Sequence, residues 1–187
     1  MIPNFNVILL HDKMHNKEGK IVTTSLTMID LHDIARSSTT YNINTFYVAH
    51  PASALRKLAR TLKSHWESGH GSTYNPNRKE ALDSVKIVND LDEAILDLEL
   101  TYKKFPKLIA TSAHQGSDRL AYQDCKKIVS DNTNQPYLLM LGTGWGMSQE
   151  LLDRADYFLA PINGPLEYNH LSVRSACAIM LDRLFGQ

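Results

Sequence analysis

Leu141-Gly142-Thr143-Gly144-Trp145-Gly146 closes an apolar run that begins at Tyr137, and this passage from strand to glycine turn decides the fold. Glycine at alternate positions lets the main chain approach a ligand closely, because the missing β-carbons remove a steric barrier and permit positive φ. After one short helix and one strand come Pro161-Ile162-Asn163-Gly164-Pro165 and then His170-Leu171-Ser172-Val173-Arg174-Ser175. Loops of this kind, close together in the last third of the chain, imply a small-molecule site read by N–H and C=O groups. Two nucleotide-binding folds are disfavoured by the spacing. The turn reads Gly-x-Gly-x-Gly rather than Gly-x-Gly-x-x-Gly and follows a late strand, and the Gly-Lys-Ser/Thr ending of a Walker loop is missing.

Working outward, short apolar runs alternate with helical patterns. Strands are expected over 6–10, 45–49, 85–88, 108–111, 137–141 and 157–159. Helices are expected over 27–38, 52–67, 91–102, 118–130, 148–155 and 171–185. Such alternation predicts an α/β fold, a mostly parallel sheet with helices on both faces. Ligands in these sheets sit outside the carboxyl ends of the strands, where the loops 111–116, 141–146 and 160–165 should converge.

Composition sets the class. With 187 residues, 43% hydrophobic and 21% charged, residues 1–187 read as one globular domain with a sizeable core. No stretch approaches the ~20 apolar residues of a membrane span, and residues 1–10 lack a basic leader, so a cytoplasmic protein is expected. Cys125 and Cys177 form no metal or redox motif and read as core packing. Lysine plus arginine equals aspartate plus glutamate at 20 each, so any RNA partner must be held by a local patch rather than by net charge.

The segments Asp30-Leu31-His32-Asp33-Ile34-Ala35-Arg36, Leu141 to Gly146, and His170-Leu171-Ser172-Val173-Arg174 occur in the order of three motifs of a known group. The chain resembles the SPOUT superfamily of S-adenosylmethionine-dependent RNA methyltransferases, and within it a little-characterised stand-alone bacterial branch. The resemblance runs from Val22-Thr23-Thr24-Ser25-Leu26 to the last helix. It implies a C-terminal trefoil knot, a homodimer, S-adenosyl-L-methionine as cofactor and RNA, either tRNA or rRNA, as partner. Cofactor contacts are then expected at Thr111 and Ser112, at Leu141, Gly142, Thr143, Gly144 and Gly146, at Pro161 and Ile162, and at Asn169, His170, Leu171 and Val173. The final helix would thread the knot and help form the dimer.

Relatives carry Asn-x-Gly-x-x-x-Arg in the first motif and Ser-Leu-Asn-Val-Ser in the third. Arg36 matches the arginine and is the catalytic candidate. A guanidinium is a poor base at neutral pH, so orientation of the nucleophile and of RNA phosphate is its expected role. The departures concern proton transfer. Asp30 replaces asparagine, and His170 and Ser172 replace serine and asparagine. His170 becomes a candidate general base, with Asp30 orienting it or taking the proton itself. Base methylation therefore stands beside ribose 2′-O methylation. A non-catalytic S-adenosylmethionine-binding factor that associates with RNA or ribosomes is the alternative.

Other polar clusters carry less. His11 and His15 lie four apart, but no third ligand is placed by spacing, so no metal is expected. His65, Trp66 and His70 flank a turn-rich segment with base-stacking side chains. Arg56, Arg60 and Lys63 share one helix face, read either as solvated surface or as a phosphate-contacting patch.

Overall fold

The computed structural model describes residues 3–68, 76–166 and 168–187. In chain order the strands are β1 (Phe5–Leu10), β2 (Met14–His15), β3 (Ile21–Val22), β4 (Thr45–Ala49), β5 (Val85–Val88), β6 (Lys107–Ala110), β7 (Arg119–Leu120), β8 (Tyr137–Gly142) and β9 (Tyr157–Leu159). The helices are α1 (Met28–Thr40), α2 (Ser53–Glu67), α3 (Pro76–Asp83), α4 (Leu91–Tyr102), α5 (Tyr122–Asp131), α6 (Gln149–Leu152) and α7 (Val173–Phe185).

Seven strands form one sheet in the order β5-β4-β1-β8-β6-β9-β7, and each neighbouring pair is parallel. All six residues of β1 are buried, which explains why its sequence is apolar without alternation apart from Asn6, whose amide donates to the Tyr137 carbonyl: a central parallel strand is covered on both faces. Its side chains divide two cores. Phe5, Val7 and Leu9 pack with residues of α1, α2, α3, α5 and α7; Ile8 and Leu10 pack with those of α4 and α6. The α/β expectation with helices on both faces therefore holds, with the larger share of helix on one side.

Local signals explain most boundaries. Asp90 accepts from the Glu93 amide while the Glu93 carboxylate accepts from the Asn89 amide, closing the first turn of α4, in the manner of a capping box. Lys103 ends that helix at φ 56°. Three differences from the sequence expectations stand out. The helix expected from 118 starts only at Tyr122, because Asp118 adopts φ 60° and Arg119–Leu120 pair with β9. The turn-rich segment hides α3, whose first residue is Pro76, a position where proline's missing N–H costs nothing. Residues 69–75, including His70, lie outside the described residues.

The third difference concerns the basic face of α2. Lys63 Nζ donates to the Val85 carbonyl at 2.6 Å and an Arg60 guanidinium N–H to the Ile87 carbonyl at 3.2 Å. Arg56 donates to the His50 carbonyl at 2.7 Å and to the Asn89 side chain at 2.8 Å. These side chains cap acceptors along β5, the open edge of the sheet. Long cations laid on an edge strand also discourage pairing with another chain. Arg60 stays exposed, so the reading as solvated surface stands beside this engagement.

Candidate functional site

The loops after β6, β8 and β9 and the start of α7 enclose a cavity of about 1010 Å³, at the carboxyl ends of the strands where doubly wound sheets bind ligands. From the loop after β6 come Thr111 and Ser112, and from the glycine turn Leu141, Gly142, Thr143, Gly144 and Gly146. Ile162, Asn169, His170, Leu171 and Val173 complete the expected set on its walls, joined by Asp30 and Ser172. Pro161 and Arg36 are not on the lining: Pro161 is buried beside it and Arg36 is exposed on α1.

The glycine turn is held from outside the cavity by the β2–β3 hairpin. His15 N–H donates to the Gly146 carbonyl at 2.8 Å and Trp145 N–H to the His15 carbonyl at 3.0 Å. Met14 and Met147 pair as an isolated antiparallel bridge. A β-carbon on Gly142 would lie 2.8 Å from Met147 Cγ and 3.4 Å from Met14 Sδ. On Gly144, which has φ 59°, it would lie 3.0 Å from Thr24 Cγ2 and 3.1 Å from the His15 carbonyl oxygen. The space that these glycines vacate is thus filled by the hairpin, while their backbones line the cavity. Sequence reasoning assigned that space to the ligand, since contacts 120–130 residues apart leave no local signal.

Thr24 and Ser25 also line the cavity and had no assigned role. Thr24 N–H donates to the His11 carbonyl, and the adjoining Thr24 and Thr143 hydroxyls share their two protons among the His11 carbonyl, the Leu10 carbonyl and each other. The hydroxyl-rich run 23–25 before α1 is the signal that could have marked them. Other additions are His114 and Gln115 after β6, Trp145 and Arg174.

Arg174 reorganises the expected proton-transfer set. Its guanidinium lies 3.0 Å from Asp30 and 3.5 Å from Asp33, and Thr27 Oγ1 donates to the second Asp30 oxygen. Asp30 is 9% exposed and binds these two groups, not His170. The pair ties the start of α1 to the start of α7. Ser172 caps α7 by accepting from the Ser175 amide at 3.4 Å. His170 stays exposed, its ring edge-on to Tyr168 at 5.3 Å between centroids. Thr111 Oγ1 is spent on the Met140 carbonyl at 2.8 Å, and Asn169 holds the Ala113 carbonyl at 3.1 Å.

Leu141, Ile162, Leu171, Val173 and Met180 supply apolar wall, beside polar residues such as Ser112, Asn163 and His170 from the surrounding loops. Nucleophilic thiol chemistry is excluded: burial pushes Cys125 up to about 11 and Cys177 up to about 12, so neither forms a thiolate near neutrality. Among the described residues no group of three or more His, Cys, Asp or Glu side chains is placed to hold a metal, and His11 and His15 bond separate carbonyls, of Ala49 and Gly19.

The match that decides the family is to the model for SAM-dependent RNA methyltransferases, which covers residues 4–186. The chain belongs to this family. The methyltransferase is 38% identical over 184 residues to an uncharacterized protein of Aquifex aeolicus, covering 98% of this chain and 89% of that one. It is 39% identical over 183 residues to a tRNA (guanine-N(1)-)-methyltransferase of Oleidesulfovibrio alaskensis, covering 98% of this chain and 42% of the relative. The chain thus spans less than half the length of that relative. In fold it is similar to the SpoU methyltransferase AviRb of Streptomyces viridochromogenes in complex with AdoMet, with TM-score 0.57 at 14% identity, covering 99% of this chain and 58% of that one. The resemblance to the SPOUT superfamily is borne out, and with it S-adenosylmethionine as cofactor. Among the described residues no helix is long and apolar enough to cross a membrane.

One buried histidine beside this site predicts a pH response. His11, wholly buried at the end of β1, donates from Nδ1 to the Ala49 carbonyl at 3.0 Å and leaves Nε2 without a partner among the described residues. Its ring lies 5.3 Å from that of His50, which accepts the Ala52 N–H and donates from Nε2 to the Thr24 carbonyl at 3.1 Å. Burial first, and then His50, bring His11 down from 6.5 to about 4. Because the unfolded chain takes up this proton first, the contribution is complete above pH 6.5 and is lost as pH falls toward 4. It is worth about 3 kcal/mol at most. Denaturant titrations at pH 7.5 and 4.5 should show that loss, and it should shrink in His11→Phe; an equal loss in the variant would exonerate His11.

Proposed function

We propose that this methyltransferase modifies tRNA, holding S-adenosylmethionine in the cavity between the loops after β6, β8 and β9 and receiving the RNA nucleotide at its mouth. The cavity's position at the strand ends carries the reading. The name of the longer relative, a tRNA (guanine-N(1)-)-methyltransferase, adds the choice of tRNA. The cofactor fits the residues present. Leu141, Ile162 and Leu171 would flank the adenine, backbone of the glycine turn would pass beside the ribose, and the Thr111–Ser112 loop would face the methionine end. When bound, the cofactor supplies an electrophilic methyl group.

The chain's own residues must hold the acceptor in line, exclude water and take a proton. His170 is the candidate base, because it is exposed at the cavity and its bonding capacity is unspent on the protein. Asp30 acts through Arg174: the pair fixes the α1 and α7 starts that wall the mouth. Arg36, at the surface, orients the RNA rather than the cofactor, and Ser172 sets the beginning of α7. The 187 residues act as a single domain, in a homodimer, with α7 threading a trefoil knot. Leu166 at 80%, Tyr168 at 77% and Leu171 at 46% exposure give the apolar surface that a second copy would cover.

Incubating the protein and labelled S-adenosylmethionine with tRNA and rRNA from a strain lacking the gene, followed by mass spectrometry of the nucleosides, tests the assignment. A methylated guanosine in tRNA is expected. Label confined to rRNA would overturn the choice of substrate, and no label in either would overturn the reading as a whole.

A further inference from the structure

The glycine turn carries one large side chain that neither the core nor the cofactor reading uses. Trp145 lines the cavity and yet is 54% exposed. Leu141 and Met180, on the apolar wall of the same cavity, are buried. The indole therefore stands at the rim, on the solvent side of the surface assigned above to the adenine. Among the described residues no ring or cation packs on it, whereas the other tryptophan, Trp66, meets Arg78, His32 and His65.

The main chain of Trp145 is fixed while its ring is left open. Trp145 N–H donates to the His15 carbonyl at 3.0 Å, and the Gly146 carbonyl accepts from His15 N–H at 2.8 Å while Gly146 N–H donates to the Thr143 carbonyl at 3.1 Å. Gly144 and Gly146 on either side carry no side chain that could cover the ring. A β-carbon on Gly146 would meet nothing within 4 Å among the described residues, so the turn leaves open space next to the indole. A flat apolar face, set in place by backbone bonds at the entrance of a ligand cavity, suits a second flat ring.

The acceptor nucleotide supplies such a ring. A nucleotide inside a duplex cannot bring its reacting atom to a methyl group held in a cavity, so it must be extruded and loses its stacking. Aromatic side chains return stacking to unpaired bases. We propose that the Trp145 indole is the stacking platform for the extruded base of the RNA substrate, holding that nucleotide at the cavity mouth. The platform rests on the tRNA reading given above and adds to it the residue that receives the base.

Single-turnover methylation followed against tRNA concentration tests the proposal in wild type, Trp145→Phe and Trp145→Leu, beside calorimetric affinity for S-adenosylmethionine. Trp145→Leu keeps apolar bulk and loses the aromatic face, so half-saturation should require about tenfold more tRNA, the scale of one base–aromatic stack. Trp145→Phe should recover most of that loss, and cofactor affinity should stay near wild type in both. Unchanged half-saturation in Trp145→Leu would overturn the platform alone. An equal loss of cofactor affinity would overturn it in favour of a contact with the cofactor, and a shift to monomer in favour of a subunit contact. A second measurement leaves Trp145 intact: in Trp66→Phe it is the one tryptophan remaining of two, saturating tRNA should quench its emission, and unchanged emission would overturn the stack. Wild-type protein that binds S-adenosylmethionine but methylates no tRNA would overturn the substrate reading and the platform with it.

Discussion

Replacing Gly144 with valine is expected to abolish S-adenosylmethionine binding, a loss of at least ~100-fold by calorimetry. Two costs add. The φ of 59° is left-handed, where a β-branched residue is strained by roughly 1–2 kcal/mol or more. A β-carbon there would also sit 3.1 Å from the His15 carbonyl oxygen, a backbone atom that cannot rotate away. Relief requires moving the hairpin or the turn, which breaks the bonds between His15 and Trp145 and between His15 and Gly146. The cavity wall then loses its shape, and stability falls by about 2–4 kcal/mol. Gly164→Ala is the control: among the described residues its β-carbon would meet nothing nearer than the Tyr168 carbonyl at 3.8 Å, and affinity should stay within a few-fold of wild type. Undiminished binding by Gly144→Val would mean that the cofactor is held elsewhere.

The second large effect separates the RNA from the cofactor. Arg36→Ala should lower single-turnover methylation of tRNA by ~100-fold or more, the scale on which a misplaced nucleophile slows displacement, while calorimetric affinity for S-adenosylmethionine stays near wild type. Arg36 is exposed and off the cavity lining, so its removal opens no hole and breaks no pair. Orientation of the nucleophile and phosphate contact are its means of action. A loss of cofactor affinity in this variant would assign Arg36 to the cofactor side.

Six strands were legible within a residue or two because buried parallel strands write themselves as apolar runs, as in Val7–Leu10 and Tyr137–Leu141. The two-residue strands β2, β3 and β7 were not. Their pairing is imposed by tertiary contacts such as the bridge between Met14 and Met147, and no period can show in two residues. The ligand loops were legible because they follow strands. The bonding of the candidate catalytic groups was hidden, since Asp30 meets Arg174 across 144 residues. The bonding of the basic face of α2 was hidden for a similar reason: a sequence shows where cations are, not which carbonyls accept from them.

The hairpin seated behind the glycine turn has a consequence for the order in which the molecule is built. Residues 14–15 leave the ribosome long before residues 142–147 exist, and so an early hairpin waits for a later turn before one ligand chamber can be completed. Such distant pairings are slow to form. Affinity for the methyl donor is therefore a gauge of finished folding, and protein fragments that stop short of the turn should show none.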